Sequence, residues 1–395
     1  MNRRITVKYC FLQGGYWTLA AVAMAFTTPL LEAKGFSGTE IGILSAVKYL
    51  AVLIFQMVLG SFADKHAEKV PLQRMLILMT FVNIIFSFLF YLTGHTMWMA
   101  MLTLIVFGMT IHCASPLVDS LSIQNMNHGV KMNNAISRAC GSLCWAVFCV
   151  VVGLIADAFG ANRILIFQIV VSFLFAFFAF NMDAVDFSKG RKKEEKTECE
   201  IGEVHSCFYL LKHFPKYSLF LLGLVFVFAA YNMNSTFLID WIEGMGGNHA
   251  DYGMAQFVLA MAEIPVALVF YRIRGRVSID KLMVVCAFFC FLRATATTFS
   301  GSVTLVILSQ ALELLGLSIY YVGTVYFVMD YLPQADAVKG ASLINLAGMG
   351  LGEMAGSISC GLIKDAFGLR NLMLLSSGVG FVGVVVMVWM WRRVE

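Results

Sequence analysis

Apolar runs of roughly twenty residues, each long enough to cross the hydrocarbon core of a bilayer as a helix, follow one another along the chain with short polar gaps. They fall near 9–31, 40–62, 75–93, 97–124, 134–158 and 163–182. After one longer polar gap they resume near 217–241, 252–271, 279–298, 303–329, 338–363 and 371–391. The pattern predicts an all-α membrane protein of twelve transmembrane helices, six in each half. It divides the chain into an N-terminal bundle (1–182), a linker (183–216) and a C-terminal bundle (217–395). The first run, behind Arg3, Arg4 and Lys8, imitates a signal peptide, but it continues past Pro29 to Leu31 and is read as the first span.

The halves resemble each other. Gly153-Leu-Ile-Ala-Asp157-Ala-Phe-Gly160 returns as Gly361-Leu-Ile-Lys-Asp365-Ala-Phe-Gly368, seven letters of eight at an offset of 208 residues. Glu40-Ile-Gly42, opening the second helix, is echoed by Asp251-Tyr-Gly253, opening the eighth, at an offset of 211. A half-length repeat inside hydrophobic sequence is the mark of a transporter built from two related bundles.

Composition sharpens this picture. Of 395 residues, 59% are hydrophobic and 13% charged, against about 25% charged in soluble domains. The net charge of +4 matters less than its distribution. With the N-terminus placed inside, the interior segments hold twenty-one Lys and Arg residues and the exterior loops four. Both termini are therefore expected in the cytoplasm, with the chain multi-pass in the cell (inner) membrane. The linker, basic at Lys189–Lys193 and then acidic through Glu203, reads as solvated. Its end, Phe208–Lys216, reads as a short amphipathic helix on the inner leaflet.

Most of the ten cysteines lie in or beside apolar runs, where thiols behave as small hydrophobes. Cys140/Cys144 and Cys286/Cys290 have helical spacing, but no His or carboxylate completes a ligand set, so no metal is expected. No phosphate-binding Gly-x-x-x-x-Gly-Lys-Ser/Thr occurs, which argues against ATP drive. No cofactor and no enzymatic activity are expected.

An ionisable group within lipid is costly unless paired or wetted, which makes each one a candidate for function. The predicted spans contain Lys48, Asp119, Arg138, Glu263, Arg293, Glu313 and Glu353. Asp119 and Arg138 flank the polar turn Asn125–Asn133 at nearly equal distance, which in an antiparallel pair means equal depth, about 8–9 Å inside at about 1.5 Å per residue. Such a pair can bridge, or hold a polar solute between its members. Trp145, two turns beyond Arg138 on the same face, offers a plate to a ring. A structural salt bridge with a packing tryptophan explains the same residues. Glu263, Arg293 and Glu313, on the eighth, ninth and tenth helices, have the mixture of carboxylate and guanidinium that proton coupling needs. A static brace is the alternative. Lys48 is equally open as a brace to Glu353 or a solute contact. Gln13, His112, Asn232 and Asn234 carry weaker signals, explicable by interhelical hydrogen bonds.

The loop after the second helix, Gly60-Ser-Phe-Ala-Asp64-Lys65 followed by Lys69, resembles the Gly-x-x-x-Asp-Arg/Lys-x-x-x-Arg/Lys signature of the major facilitator superfamily. Within that superfamily the chain looks most like the lactose permease and phenylpropionate permease branch of proton symporters. Arg138-Ala-Cys-Gly141-Ser-Leu-Cys-Trp145-Ala146 is similar to the Arg-x-x-Gly-x-x-x-Trp-Ala of the sugar symporters. There the arginine pairs with a fourth-helix carboxylate, the place Asp119 would take, and the tryptophan packs on the sugar. Ser115-Pro116-Leu117 resembles the phenylpropionate permeases instead. Ala262-Glu263-Ile264 and Leu292-Arg293 match the acidic residue and arginine of helices eight and nine. The chain departs from the branch at Glu313, where histidine is usual, at Gly316, where the sugar symporters carry a carboxylate, and at Asn232, where they carry aspartate.

The resemblance implies the major facilitator fold and a proton symporter of a sugar, nucleoside or small aromatic acid, working by alternating access. The expected solute contacts are Asp119, Arg138, Trp145, Asn232 and Lys48. The proton group is Glu263, Arg293 and Glu313, and Asp64 and Lys65 are the gating residues. The partners are then the solute, protons and the bilayer, with no nucleic acid, and the chain works as a monomer. A proton-coupled exporter and a non-transporting sensor signalling through the central loop are the rival readings.

Overall fold

The computed structural model describes residues 3–65, 70–127, 134–182 and 206–393, and among these there is helix and turn but no strand. Helices stand at all twelve expected places. They are α1 (3–33), α2 (Gly38–Lys65), α3 (Leu72–Leu92), α4 (97–127), α5 (Asn134–Phe159) and α6 (Ile164–Phe180). A short helix, Cys207–His213, precedes α7 (215–243), α8 (His249–Arg274), α9 (Ile279–Thr298), α10 (Val303–Tyr331), α11 (Gln334–Phe367) and α12 (Leu369–Arg392). Nine of these, among the described residues, are long and apolar enough to cross a membrane. The other three are α1, α8 and α9.

Several helices are broken where the sequence showed a continuous apolar run. Wide π turns occupy Ala21–Ala25 in α1, Gly108–His112 in α4 and Leu346–Gly352 in α11. Phe237 separates two segments of α7, and Gln310–Leu315 tightens into a 3-10 turn within α10. The breaks follow close packing. A Cβ at Gly348 would meet the Phe228 ring at 2.9 Å, and one at Gly352 would meet Phe228 Cβ at 2.7 Å, so the π turn of α11 closes over that ring.

The chain forms two compact units. The first holds α1, α2 from Val47 onward, and α3 to α6; the second holds Ser37–Ala46 and α7 to α12. Within the first, α1 packs chiefly on α5 and α6, and α3 on α6. Within the second, α7 packs on α11 and α12, and α9 on α12. The pairings repeat in order. A buried polar knot ties the first unit: Asn83 donates to Thr110 (3.1 Å) and accepts from Gln168 (3.2 Å) and Ser172 (3.3 Å). Such groups hold helices together where lipid offers no hydrophobic contrast.

The first turns of α2, Ser37–Ala46, fall in the second unit. Small residues explain the approach: a Cβ on Gly42 would strike the Ser357 carbonyl, and one on Gly361 the Gly38 carbonyl. Asp365, the repeated aspartate, accepts the N–H groups of Gly38 (3.1 Å) and Thr39 (2.7 Å) at the start of α2. A carboxylate there satisfies orphan donors and complements the helix dipole.

The two sequence offsets correspond to two backbone devices. At the start of α2, Ser37 N–H donates to Glu40 Oε2 (2.8 Å) and Glu40 N–H to Ser37 Oγ (3.3 Å). At the start of α8, Asn248 N–H donates to Asp251 Oδ2 and Asp251 N–H to Asn248 Oδ1, both at 3.0 Å. These are reciprocal capping boxes. The described residues with positive φ are Gly35 (φ 85), Gly160 (φ 84), Gly246 (φ 85) and Gly368 (φ 83), two pairs at the same offsets. Gly368, at ψ 164, lies in a region essentially closed to other residues.

Replacing Gly368 by alanine should therefore destabilise the protein by about 1–3 kcal/mol, although nothing lies within 4 Å of the added methyl. Gly378→Ala, within the helix α12 and equally uncrowded, should be neutral or stabilising by up to about 1 kcal/mol. Thermal unfolding in detergent separates the two; equal melting temperatures would show that backbone conformation at Gly368 carries no cost.

Candidate functional site

In the first unit, Asp119 lies on α4 beyond the π turn and Arg138 lies in the second turn of α5. The structure joins them: Arg138 donates to Asp119 Oδ2 at 2.5 Å. Gln13, 1% exposed on α1, donates to Asp119 Oδ1 at 3.0 Å. Both carboxylate oxygens are thus engaged, one by a neutral and one by a charged donor. The side chains of Arg138 and Asp119 remain 50% and 30% exposed, so the pair is open on one side. An arginine carries five donors in a fixed fork, more than one carboxylate oxygen consumes.

Gly141 and Trp145 continue the Arg138 face of α5, at i+3 and i+7. Trp17 of α1 lies against Gly141, so closely that a Cβ there would overlap its pyrrole edge. Trp17 meets Trp145 edge to face, with centroids 5.9 Å apart and planes at 83°, and is braced from behind by Tyr16 at 5.2 Å. Tyr16 is itself fixed by donating to the Ile111 carbonyl (3.0 Å), one residue of the π turn in α4. Both indoles are half-buried. One ion pair and two tryptophans therefore form a continuous strip across α1, α4 and α5.

The second unit holds a different constellation. Arg293 of α9 is 1% exposed and Glu313 of α10 0%, with Nε to Oε2 at 3.4 Å. Arg293 also donates to Gln310 Oε1 (2.8 Å) and Ser235 Oγ (3.4 Å), and its guanidinium lies 4.4 Å from the Tyr231 ring centroid. Glu313 stands in the 3-10 turn of α10, and its Oε1 accepts the N–H of Leu317 (2.9 Å), which the break leaves without a helical partner. Its carboxylate folds back over Gly316, where a Cβ would come within 3.2 Å of Oε2. The glycine and the glutamate, the two departures in this helix, thus fit each other. Glu263 of α8 is half-buried within the field of Glu313.

The remaining expected residues fall elsewhere. Lys48 is 5% exposed, with Nζ 4.7 Å from the Tyr49 ring, against whose ring His112 also packs. Asn232 Oδ1 accepts from Ser357 (2.9 Å) and Thr236 (3.2 Å), and Gly356 lies close against the Asn232 side chain. Asp64 and Lys65 end α2, and their side chains, like the rest of the signature through Lys69, lie outside the described residues. Among the described residues no group of His, Cys, Asp and Glu could hold a metal, and all described cysteines are free thiols.

Sequence reasoning underweighted Gln13 and missed Trp17, Tyr231, Ser235 and Gln310. For Gln310 the signal was present, one helical turn before Glu313. For Trp17 none was, since its role depends on which helix Gly141 faces.

Comparison with known proteins agrees with this architecture. A crystal structure of a mutant of the nucleoside transporter NupG superposes with TM-score 0.84 at 14% identity, covering 98% of this chain and 100% of that one. A second NupG structure gives 0.81 at 14% identity, covering 100% of both. An auto-inhibited peptide transporter of the POT family gives 0.70 at 12%, covering 98% and 97%. No curated protein matches the chain. The model of the MFS_1-like family matches residues 9–375. The chain thus belongs to the MFS_1-like family of the major facilitator superfamily, an all-α multi-pass membrane transporter of small molecules.

Proposed function

We propose that this transporter is a proton symporter of the inner membrane, carrying one small solute by alternating access, with Asp119, Arg138 and Trp145 at the solute and Glu263, Arg293 and Glu313 at the proton. The chain would act as a monomer, with bundles at 1–182 and 217–395, a linker at 183–216 and both termini in the cytoplasm.

The observation that carries the reading is a contrast in exposure. The Asp119–Arg138 pair is 30–50% exposed, whereas Arg293–Glu313 is sealed at 0–1%. An open ion pair can exchange partners with a hydroxylated or ring-bearing solute. A sealed one admits little larger than a proton. Arg293 can neutralise one carboxylate at a time, and Glu263, a second acidic group of the same unit, calls for another positive charge, which a proton supplies. The Glu313 carboxylate, held by an N–H of the broken helix, is where departure of Arg293 would be compensated. Nucleosides head the panel of solutes because NupG is a nucleoside transporter, with sugars and small aromatic acids after them.

Two results are expected in proteoliposomes given uridine, lactose or 3-phenylpropionate, with and without an inward proton gradient. Glu313→Gln should abolish gradient-driven accumulation while solute exchange persists; normal accumulation would remove Glu313 from coupling. Arg138→Ala, which leaves Asp119 without its cationic partner, should lower transport efficiency by about thirtyfold or more, as expected for about 2 kcal/mol or more. Wild-type kinetics in that variant would dismiss the solute site.

A further inference from the structure

We infer that Trp17 is the central specificity-determining contact of the solute site, and that the solute it selects is neutral and carries a ring. The inference rests on the placement of the solute at Asp119, Arg138 and Trp145. No motif marks Trp17, which lies on α1, and the geometry alone brings it in.

Along α5, Arg138 and Trp145 are seven residues apart, about 10 Å at about 1.5 Å per residue. Gly141 lies between them on the same face, and the Trp17 indole covers it. A solute that touches both Arg138 and Trp145 must cross Trp17. Only glycine at position 141 lets the indole lie this close, since any Cβ would occupy the space of its five-membered ring. The ring is also held on both sides, by Tyr16 at 5.2 Å and Trp145 at 5.9 Å, each roughly perpendicular to it. That fixes the indole before any solute arrives, which reduces the entropy lost on binding. The indole is only half-buried, which leaves part of it for a solute ring.

Charge narrows the solute further. Asp119 and Arg138 neutralise each other at 2.5 Å, and the other residues of the strip, Gln13, Trp17 and Trp145, are uncharged. A carboxylate on the solute would gain the guanidinium but face Asp119 beside it. Hydroxyls and ring amides can use donor and acceptor together.

The test measures uptake and binding in the full-length protein with three named probes: uridine and lactose, both neutral, and 3-phenylpropionate, an anion. A neutral probe should be taken up and the anion refused. For the accepted probe, Trp17→Ala should raise KM about tenfold or more, the scale of one lost aromatic stack, with Vmax within about a factor of two of wild type. Trp17→Phe should restore most of the affinity. Gly141→Ala, which displaces the indole without deleting it, should raise KM likewise. Probe-dependent quenching of tryptophan emission should shrink in Trp17→Phe, a readout that a purely structural role would leave unchanged. Unaltered KM and quenching in the Trp17 variants, with uptake intact, overturn this inference alone. A preference for the anion overturns the charge argument. Failure of wild-type protein to take up any of the three overturns the solute site and this inference with it.

Discussion

A charge sealed among helices that lie in lipid must be answered inside the protein, because no water is present to answer it. Arg293 shows how that answer is assembled. It is buried to 1%, and Glu313, Gln310, Ser235 and the face of Tyr231 surround it. Removing one member of such a set leaves an uncompensated buried charge, a loss of about 3–5 kcal/mol. A proton that neutralises Glu313 removes a member in just this sense. The energy released or absorbed is then large enough to be felt by the rest of the unit, which is what coupling requires.

The broken helices serve the same constraint. A continuous α-helix spends its N–H and C=O groups on itself and has none to offer a side chain. The 3-10 turn at Gln310–Leu315 frees the N–H of Leu317, and Glu313 takes it. The π turn at Gly108–His112 leaves the Ile111 carbonyl to accept Tyr16, which in turn backs Trp17. In both units a polar site is therefore anchored on a helix irregularity rather than on a regular face.

Much of this was legible in the sequence. Twelve spans followed from hydropathy, and the pairing of Asp119 with Arg138 followed from equal distance to one turn, because depth in a membrane is fixed by residue count. The repeat was visible as letters, and its physical content, capping boxes and positive-φ glycines, became visible only with the backbone. The helix breaks were not legible, since apolar composition is the same in α and π turns. Nor was the spending of Asn232 on Ser357, or the seat of Trp17 on Gly141, because each depends on which helices face each other. Sequence periodicity gives the face of a helix but not its neighbour.

The repeat also separates what the two units share from what they do not. The glycines, the capping boxes and the order of helix pairing recur at offsets of 208 and 211. The charges do not. At the α5 offset, Arg138 corresponds to Leu346 and Trp145 to Glu353; at the α2 offset, Lys48 corresponds to Leu259 and Glu263 to Val52. A charge required by the scaffold would recur with the scaffold, as the capping carboxylates Glu40 and Asp251 do. Arg138, Lys48 and Glu263 stand where the other copy has leucine or valine. The helix pairing common to the two units therefore does not depend on them, which leaves each a candidate for function rather than for the scaffold.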